Sequence, residues 1–461
     1  MSGAMVAVTI DRPAVLDVAA LGLPAPALRV PALSGWRAAW SSDGPSPFAA
    51  GGTALFRRQA AEECLDVVGV LRAYRAPQPE EDWRTPRASE RRLLAQVNAI
   101  AGLGPQALER IAALAIDPDL PDPGRVFAAT FTLGCIGGPD WLPALQRIVM
   151  TAVARHPEEG AQAMEALSLS PREDLPSWLS PLLRDASPAL RAAAVRVLGF
   201  RWQLGEAAWA QAMSDPHPDV VRAALLAPVH RFDPARVEPL LLTAAASTDE
   251  PTAQRALRLG AALRSPALHG QAARMAARDP GWAGALQALA LHGHPGDATL
   301  VRGLLRQAHR WPAVRAAGAL GLPALMPDLI ALHDDPLRSD EERRLAAQAL
   351  TTIAGPTPAG ATSPADEWRR VAAEAPAERR LRGGRPLNAA VLLAQLSGPG
   401  WWRAGRQDLY LELIAASRVP IARFSPFDFV AVQEDALDRI AEGVAPGTAR
   451  AATSAPALAP Q

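Results

Sequence analysis

Histidine is the residue type of this sequence with the most scope for chemistry, and one pair of the eight histidines is closely spaced. His292 and His294 flank a glycine in LALHGHPGD, and Asp297 follows three residues later. Two imidazoles at this spacing could begin a zinc or iron site, but such a site needs a third or fourth ligand of suitable geometry. Because Asp297 is the one obvious carboxylate nearby and the chain has no HExxH, we predict a helix-capping turn here and no metal site.

The other reactive residue types also occur in patterns that favour structure over catalysis. His333 and Asp334 stand in HDDPLRSDEERR, which is typical of one helix ending and the next beginning. Cys64 and Cys135 lie on apolar faces, so we predict buried structural thiols. No G-x-S-x-G provides a serine nucleophile, and the stretches LGCIGGPDW and RLRGGRP match no nucleotide-binding pattern. We therefore predict no catalytic residue and no cofactor site.

Composition and charge narrow the class of protein further. All 47 residues counted as lysine plus arginine are arginine, which excludes a P-loop lysine and a Schiff-base lysine. They balance 47 acidic residues, whereas a nucleic-acid binder usually carries a basic excess. The chain shows no basic n-region followed by an apolar core and no run of 18 apolar residues, so we expect a cytoplasmic protein without a membrane segment.

A repeated motif organises the middle of the chain. The stretch DASPALRAAAVRVLG at 185–199 returns in altered form from Asp215 and from Trp311. The helix starts predicted from this repeat are Pro123, Pro157, Pro188, Pro218, Pro251, Pro280, Pro312 and Ser339, at successive intervals of 27 to 34 residues. Such a period fits two short helices with two turns, and proline suits the first turn of a helix. The pattern predicts an all-α solenoid of six to eight helix pairs.

The motif D-x-x-P-x-V/L-R-x-A-A, followed by a small residue or Leu-Gly, resembles a short bacterial HEAT repeat over about residues 105–355. In HEAT families the aspartate and arginine often form a polar ladder between repeats. The residues at the matching positions here are Asp185, Arg191, Asp215, Arg222 and Arg315. The resemblance implies a HEAT-like α-solenoid, a superhelix of antiparallel helix pairs, and implies no activity.

The C-terminal part resembles a bacterial HEAT-repeat family whose genes often lie near type VI secretion loci. That family has a tryptophan, an Arg-x-Gly-x-Pro element and a terminal F-x5-V-x-Q-x-x-A-L helix after the repeats. The matching residues are Trp368, Arg382, Gly384, Pro386, Phe424, Val430, Gln433, Ala436 and Leu437. The chain departs from the family in Leu381, where an aromatic residue is usual, and in its long N-terminal arm.

These patterns divide the chain into six segments. We predict an irregular Pro/Ala-rich arm (1–53), a helical N-terminal cap (54–104), the HEAT-like repeats (105–355), a linker (356–366), a small helical C-terminal module (367–442) and a disordered tail (443–461). The N-terminal cap contains two predicted helices, and Ser89 is the predicted N-cap of the second.

The predicted function is that of a non-catalytic scaffold or adaptor that binds a protein partner along its concave face, with a role as a type VI secretion accessory protein implied by resemblance. Repeats of this kind usually bind through the second helix of each pair, and arginine and tryptophan dominate interface hot spots. The predicted partner-binding residues are Arg191, Arg222, Arg255, Arg315, Arg382, Arg385, Trp401 and Trp402. Two alternatives stay open, a nucleic-acid-binding HEAT protein and a HEAT-type lyase or hydroxylase, and the oligomeric state is not predicted.

Overall fold

The computed structural model describes Arg12 and residues 50–78, 81–307, 311–356, 363–399, 403–417 and 420–444. These residues form 22 α-helices and one pair of two-residue strands. The helices are α1 (Ala50–Ala73), α2 (Arg87–Gly102), α3 (Pro105–Ala115), α4 (Pro123–Gly134), α5 (Leu142–Arg155), α6 (Pro157–Leu169), α7 (Leu175–Leu182), α8 (Pro188–Phe200), α9 (Glu206–Met213), α10 (Pro218–Ala224), α11 (Pro234–Ala245), α12 (Glu250–Ala262), α13 (Pro266–Arg278), α14 (Ala283–His292), α15 (Asp297–Leu305), α16 (Trp311–Leu320), α17 (Met326–Asp334), α18 (Asp340–Ala354), α19 (Pro364–Glu374), α20 (Ala389–Ser397), α21 (Arg403–Ala416) and α22 (Val430–Val444).

The helices fall into two compact units. Unit 1 comprises residues 1–77, 84–203 and 429–432, and unit 2 comprises 78–83, 204–428 and 433–461. In unit 1, α1 packs on α2, α3 and α4, and the pairs α3–α4, α5–α6 and α7–α8 follow. In unit 2 the pairs run from α9–α10 to α17–α18. The fold class is therefore the predicted all-α, HEAT-like solenoid type, with eight helix pairs in the described residues.

Within each unit the second helices of successive pairs stack on one another. In unit 1 they are α4, α6 and α8, and in unit 2 they are α10, α12, α14, α16 and α18. Small residues permit this stacking, since a Cβ added at Gly318 of α16 would lie 2.8 Å from the Cα of Ala349 in α18. In α8 the apolar stripe that begins at Leu190 and ends at Leu198 is buried. Stacking of neighbouring repeats therefore buries the apolar stripe, which a single helix pair could not cover.

Seven of the eight predicted repeat helix starts are confirmed. Ser339, which replaces proline in the last copy, forms a capping box with Glu342 at the start of α18. The prediction at Pro280 is wrong, because α14 begins at Ala283. The Asp279 side chain accepts a hydrogen bond from the Gly281 backbone N–H at 3.0 Å, which holds a turn there and delays the helix.

Several predicted boundaries also shift by a few residues. The first helix begins at Ala50, inside the predicted arm, and α2 begins at Arg87 after Pro86, so Ser89 lies within a helix and is not its cap. The helix α19 begins at Pro364, inside the predicted linker, and α22 extends to Val444. The C-terminal module is not wholly helical, because strands β1 (Leu381–Arg382) and β2 (Arg385–Pro386) pair antiparallel around two glycines.

In unit 1 a buried charge pair joins the N-terminal cap to residues 429–432. Arg75 donates to Glu90 at 3.2 Å, and both side chains are almost completely buried. The Arg75 guanidinium also lies 4.4 Å from the ring centroid of Phe429, and the other Glu90 carboxylate oxygen accepts from the Val430 backbone N–H at 2.7 Å. Glu90 therefore pairs with the arginine, which also binds Glu165 at 3.4 Å, and satisfies the first backbone donor of α22.

Among the described residues, no helix is both long and apolar enough to cross a lipid bilayer.

Candidate functional site

The four arginines predicted on the repeats all lie in the first two turns of second helices. Arg191 lies in α8 of unit 1, and Arg222, Arg255 and Arg315 lie in α10, α12 and α16 of unit 2. Arg191 donates to the backbone carbonyl oxygens of Asp185 at 2.9 Å and Ala186 at 3.1 Å, so it closes the turn that precedes its own helix. Arg255 is half-buried and Arg315 is exposed.

Arg222 forms a rung between two repeats. Its guanidinium donates to Asp249, the N-cap residue of α12, at 3.2 Å, and also to Asp219 on its own helix. The hydrogen bond to Asp219 raises the pKa of Arg222, while the hydrogen bond from Thr252 lowers the pKa of Asp249. A polar contact between successive repeats is thus present, with Asp249 as its acid.

The aspartates that resemblance assigned to the ladder have local contacts. Asp185 accepts from the Ser187 backbone N–H at 2.8 Å, and Asp215 accepts from the His217 backbone N–H at 2.9 Å. Each carboxylate closes the turn that precedes a second helix, as short polar side chains commonly do. Each side chain therefore helps to form a turn of its own repeat.

The four arginines at 379, 380, 382 and 385 separate into two that bind a carboxylate inside unit 2 and two that are exposed. Arg382 is 4% exposed and its guanidinium binds Glu412 of α21 at 2.6 Å, while Arg380 binds the same carboxylate at 2.7 Å. The prediction that Arg382 binds a partner is corrected, since its charge is used inside unit 2. Arg379 and Arg385 are exposed. Trp401 and Trp402 lie outside the described residues.

The same loop binds the C-terminal ends of second helices through its backbone. Leu381 donates to the carbonyl of Gly321 just after α16 at 2.6 Å, and Gly383 and Gly384 donate to carbonyls in the last turn of α18 at 2.9 and 2.8 Å. Gly321 has φ of 72°, and a Cβ there would overlap the Leu381 carbonyl oxygen. Glycine is required at this position both for the backbone angle and for the close approach.

The helix α21 extends this contact along the same row of helices. It packs on α12 and α14, where Asp408 pairs with Arg258 and accepts from Gln287 at 2.6 Å. Burial lowers the pKa of Arg258 to about 10. Together, α21 and the loop at 380–384 contact α12, α14, α16 and α18. We call residues 363–428 the C-terminal module, and it occupies part of the second-helix surface of unit 2.

The structure brings a third histidine to the closely spaced pair. The ring of His269, from α13, lies 4.3 Å from that of His292 and 5.4 Å from that of His294. The Nε2 atom of His269 lies 2.9 Å from the Asp297 carboxylate, and His294 accepts from the Gly296 backbone N–H at 3.1 Å. Gly293 ends α14 with φ of 72°, so the predicted capping turn is present.

We call His269, His292, His294 and Asp297 the histidine cluster. The rings of His269 and His292 are stacked. The His269 and His292 rings are 23° from parallel. Among the residues that the structure describes, no group of three or more His, Cys, Asp or Glu side chains has the geometry to hold a metal ion. Burial, followed by the nearby charges of His269 and Arg264, lowers the pKa of His292 to about 4. His292 is therefore neutral near pH 7.

The remaining candidates for chemistry lie in structural positions. Cys135 is buried, and burial raises the pKa of its thiol. Burial also raises the pKa of the half-buried Cys64. His333 and Asp334 end α17, where His333 lies edge-on to the buried Trp368 at 5.1 Å. A hydrogen bond with His333 lowers the pKa of Asp334, and Arg369 also binds this carboxylate.

No protein-family model matches the chain, and no curated protein matches it in sequence. Three solved structures are similar to it at low identity. The structure of YibA from Escherichia coli has 12% identity and a TM-score of 0.32, with 68% of this chain and 98% of that chain covered. Human deoxyhypusine hydroxylase in complex with glycerol has 16% identity and a TM-score of 0.22, with 65% and 97% covered. Importin beta has 13% identity and a TM-score of 0.30, with 79% and 60% covered.

HEAT-repeat proteins are among these structures. At such identities the likeness concerns the fold only, and the HEAT-like assignment of this chain depends on its own stacked helix pairs. The association with type VI secretion loci finds no support in these comparisons.

Two acidic residues of the candidate site were not singled out from the sequence. Glu412 lies in a predicted helix with nothing nearby in the chain to mark it, and its arginine partners are 30 and 32 residues away. Asp249 could have been found, because it stands two residues before Pro251 at the start of a repeat helix, as an N-cap aspartate does. His269 lies in α13 and His292 at the end of α14, so the packing of one helix pair brings the two rings together.

Proposed function

We propose that this chain is a non-catalytic, cytoplasmic HEAT-like scaffold that binds a protein partner along the exposed starts of its second helices. The observation that carries the proposal is that the second-helix surface of unit 2 already holds a polypeptide, its own C-terminal module. That surface offers helix-end carbonyls, paired charges and small apolar side chains, which are the elements of a protein interface. A partner can use the part that the module leaves exposed.

The exposed part carries charges of both signs. Arg315, Arg343 and Arg344 lie in the first turns of α16 and α18, and Asp340 and Glu341 lie beside the latter two. A surface with interleaved signs suits a protein partner of complementary charge. A phosphate backbone would instead favour a basic excess, which the chain as a whole lacks.

The residue types that could act as nucleophiles or bases are engaged in packing and turn contacts, which supports a non-catalytic role. The finer proposal is an adaptor or accessory protein of type VI secretion. It rests on the resemblance of the C-terminal part, including Trp368 and Gln433, to a family encoded near such loci.

Affinity capture from the native cell, followed by mass spectrometry, tests the proposal. We expect the wild-type chain to recover one or more proteins, and the double variant Arg222→Glu/Arg315→Glu to reduce their recovery at least about ten-fold, since reversed charges oppose the partner. The matched control is Arg274→Glu, which reverses an exposed charge on the first helix α13.

Circular dichroism first establishes that all three proteins are equally folded. Equal recovery with both variants, or no recovered protein from any of them, would contradict the scaffold proposal. A recovered secretion component or cargo supports the adaptor role, whereas a specific partner of another kind supports the scaffold and rejects that finer assignment.

A further inference from the structure

Two arginines attach the C-terminal module to the ends of the second helices. Arg380 donates to the carbonyl of Leu320 at 2.8 Å and to that of Ala290 at 3.1 Å, besides its bond to Glu412. Its guanidinium also lies directly against Gly293, where an added Cβ would overlap it. Arg264, just after α12, donates to the carbonyl of Ala415 in α21 at 3.3 Å.

The histidine cluster lies at this attachment point. Gly293, on which Arg380 rests, stands between His292 and His294 in the chain. The ring of His292 also experiences the charge of Arg264, which holds α21. The cluster is therefore placed between the two arginines that bind the module, both of which are needed in their present positions.

A second histidine of unit 2 lies against the module at another point. His230, in the 3₁₀ turn Val229–Arg231, contacts Tyr410 of α21 edge-on at 6.4 Å between ring centroids. Burial and the neighbouring Arg231 lower the pKa of His230 to about 4. His230 thus contacts the module, and His292 stands next to Gly293, against which Arg380 of the module packs.

The charges facing the cluster leave little room for further positive charge. Arg264 approaches from α12, Arg380 and Arg382 approach from the loop, and the carboxylates are Asp297 on α15 and Glu412 on α21. His269 is already paired with Asp297. A proton on His292 adds a positive charge beside Arg264 and close to Arg380, whose carboxylate partner Glu412 is already shared with Arg382.

We propose that the histidine cluster and His230 form an acid-sensitive latch, which holds the C-terminal module on the second helices at neutral pH and releases it when the imidazoles become charged. Release frees the helix-end carbonyls of α14 and α16 and uncovers the faces of α12 and α14 beneath α21. Histidine suits this role because a solvated imidazole has a pKa of about 6.5. In mildly acidic solution the ring therefore gains a proton more readily when it leaves its buried site than when it stays there. The inference does not depend on the identity of any partner.

Amide hydrogen exchange on the full chain tests the latch, with rates corrected for the intrinsic effect of pH. Between pH 7.5 and pH 4.5 we expect protection to fall at least about ten-fold in residues 380–384, α21 and α14, while α9 and α11, the first helices of two repeats, keep theirs. The variant His230→Gln/His292→Gln should keep the module protected at pH 4.5. The matched control His217→Gln changes an exposed histidine outside the latch and should respond as wild type.

Retained protection of the module in the wild type at pH 4.5 would overturn the proposal, as would an equal loss in the double variant and the wild type. Circular dichroism at pH 7.5 shows whether the double variant folds. Should it fail to fold, the single variant His292→Gln replaces it, and the midpoint of module release must then shift to lower pH. An unchanged midpoint would count against the latch.

Discussion

The two ends of the second helices in unit 2 are stabilised by different means. At the N-terminal ends the contacts are exposed and come from the repeats themselves, as in the capping box of Ser339 and the Arg222–Asp249 rung. At the C-terminal ends the contacts are buried and come from a distant segment, since Arg380 binds the carbonyl of Ala290 across 90 residues. The same helices therefore combine a local, solvated end with a nonlocal, desolvated one.

This difference indicates which single substitutions should change the free energy of unfolding most. Exposed ion pairs typically contribute between 0 and about 1 kcal/mol, because water and salt screen them. Removal of one partner from a buried ionic group leaves an unneutralised charge in a poor solvent and destabilises by about 3–5 kcal/mol. Substitutions at the two ends should thus differ several-fold in effect.

The largest effect is expected for Glu412→Gln. This change leaves the guanidinium groups of Arg380 and Arg382 without their carboxylate, and we expect the free energy of unfolding to fall by about 3–5 kcal/mol. Urea titration followed by tryptophan fluorescence measures it. The comparison variant Asp219→Asn removes an exposed partner of Arg222 and should change the value by less than about 1 kcal/mol. Equal effects of the two variants would contradict the distinction between the ends.

The next largest effect concerns Gly321→Ala, at the buried end of α16. The positive φ and the overlap with the Leu381 carbonyl should together destabilise the chain by about 2–3 kcal/mol. Gly303→Ala is the matched control, because Gly303 lies exposed inside α15 with open space around its Cα. Alanine there should stabilise the helix by about 0.5–1 kcal/mol. Thermal unfolding of both variants shows directly whether each substitution raises or lowers stability. A destabilised Gly303→Ala would contradict the prediction.

The buried end should also respond to pH. The pKa of His292 in the folded chain, about 4, lies below the value of about 6.5 expected when unfolded. The unfolded chain therefore binds the proton first, so the contribution of His292 to stability is complete above about pH 6.5 and is lost as the pH falls toward 4. We expect His292→Gln to flatten the fall in unfolding free energy between pH 6.5 and pH 4 by about 1–2 kcal/mol after screening. An identical pH profile in the variant would refute this assignment.

The smallest effect is expected at the exposed rung. A double-mutant cycle with Arg222→Gln and Asp249→Asn should give a coupling of about 0.2–1 kcal/mol that weakens as salt is added. The asparagine preserves an oxygen that can accept from Thr252, so the N-cap of α12 is retained. A coupling above about 2 kcal/mol, or one insensitive to salt, would show that this end is not solvated as the structure indicates.

The sequence predicts the solvated ends well because their rules are local. Proline at the first turn, an aspartate or serine before it and the stripe beginning at Leu190 all act within one helix, so the period of the motif was sufficient to place seven helix starts. Pro280 was misplaced because a side-chain turn at Asp279, equally local, competes with helix initiation there.

The buried ends could not be predicted in the same way. Nothing near Glu412 in the chain shows that it neutralises Arg380 and Arg382, since that depends on how the module folds back on the repeats. Likewise, nothing beside His292 and His294 in the chain indicates His269, which reaches them only when α13 packs on α14. Resemblance singled out Arg382 and Gly384 as a pattern but gave them no structural role, which the close approach of the loop to α18 now supplies.

The contrast between α13 and α14 has a consequence for how this chain can vary in evolution. In α13 the buried residues are Leu268, Ala272 and Ala276, one narrow line along the helix, whereas in α14 nearly every position from Gly284 to Leu291 is buried. A saturation mutagenesis profile of α13 should therefore show tolerance that recurs every three or four residues. The profile of α14 should show none of this periodicity, so a helix that the module contacts is also less free to vary than α13.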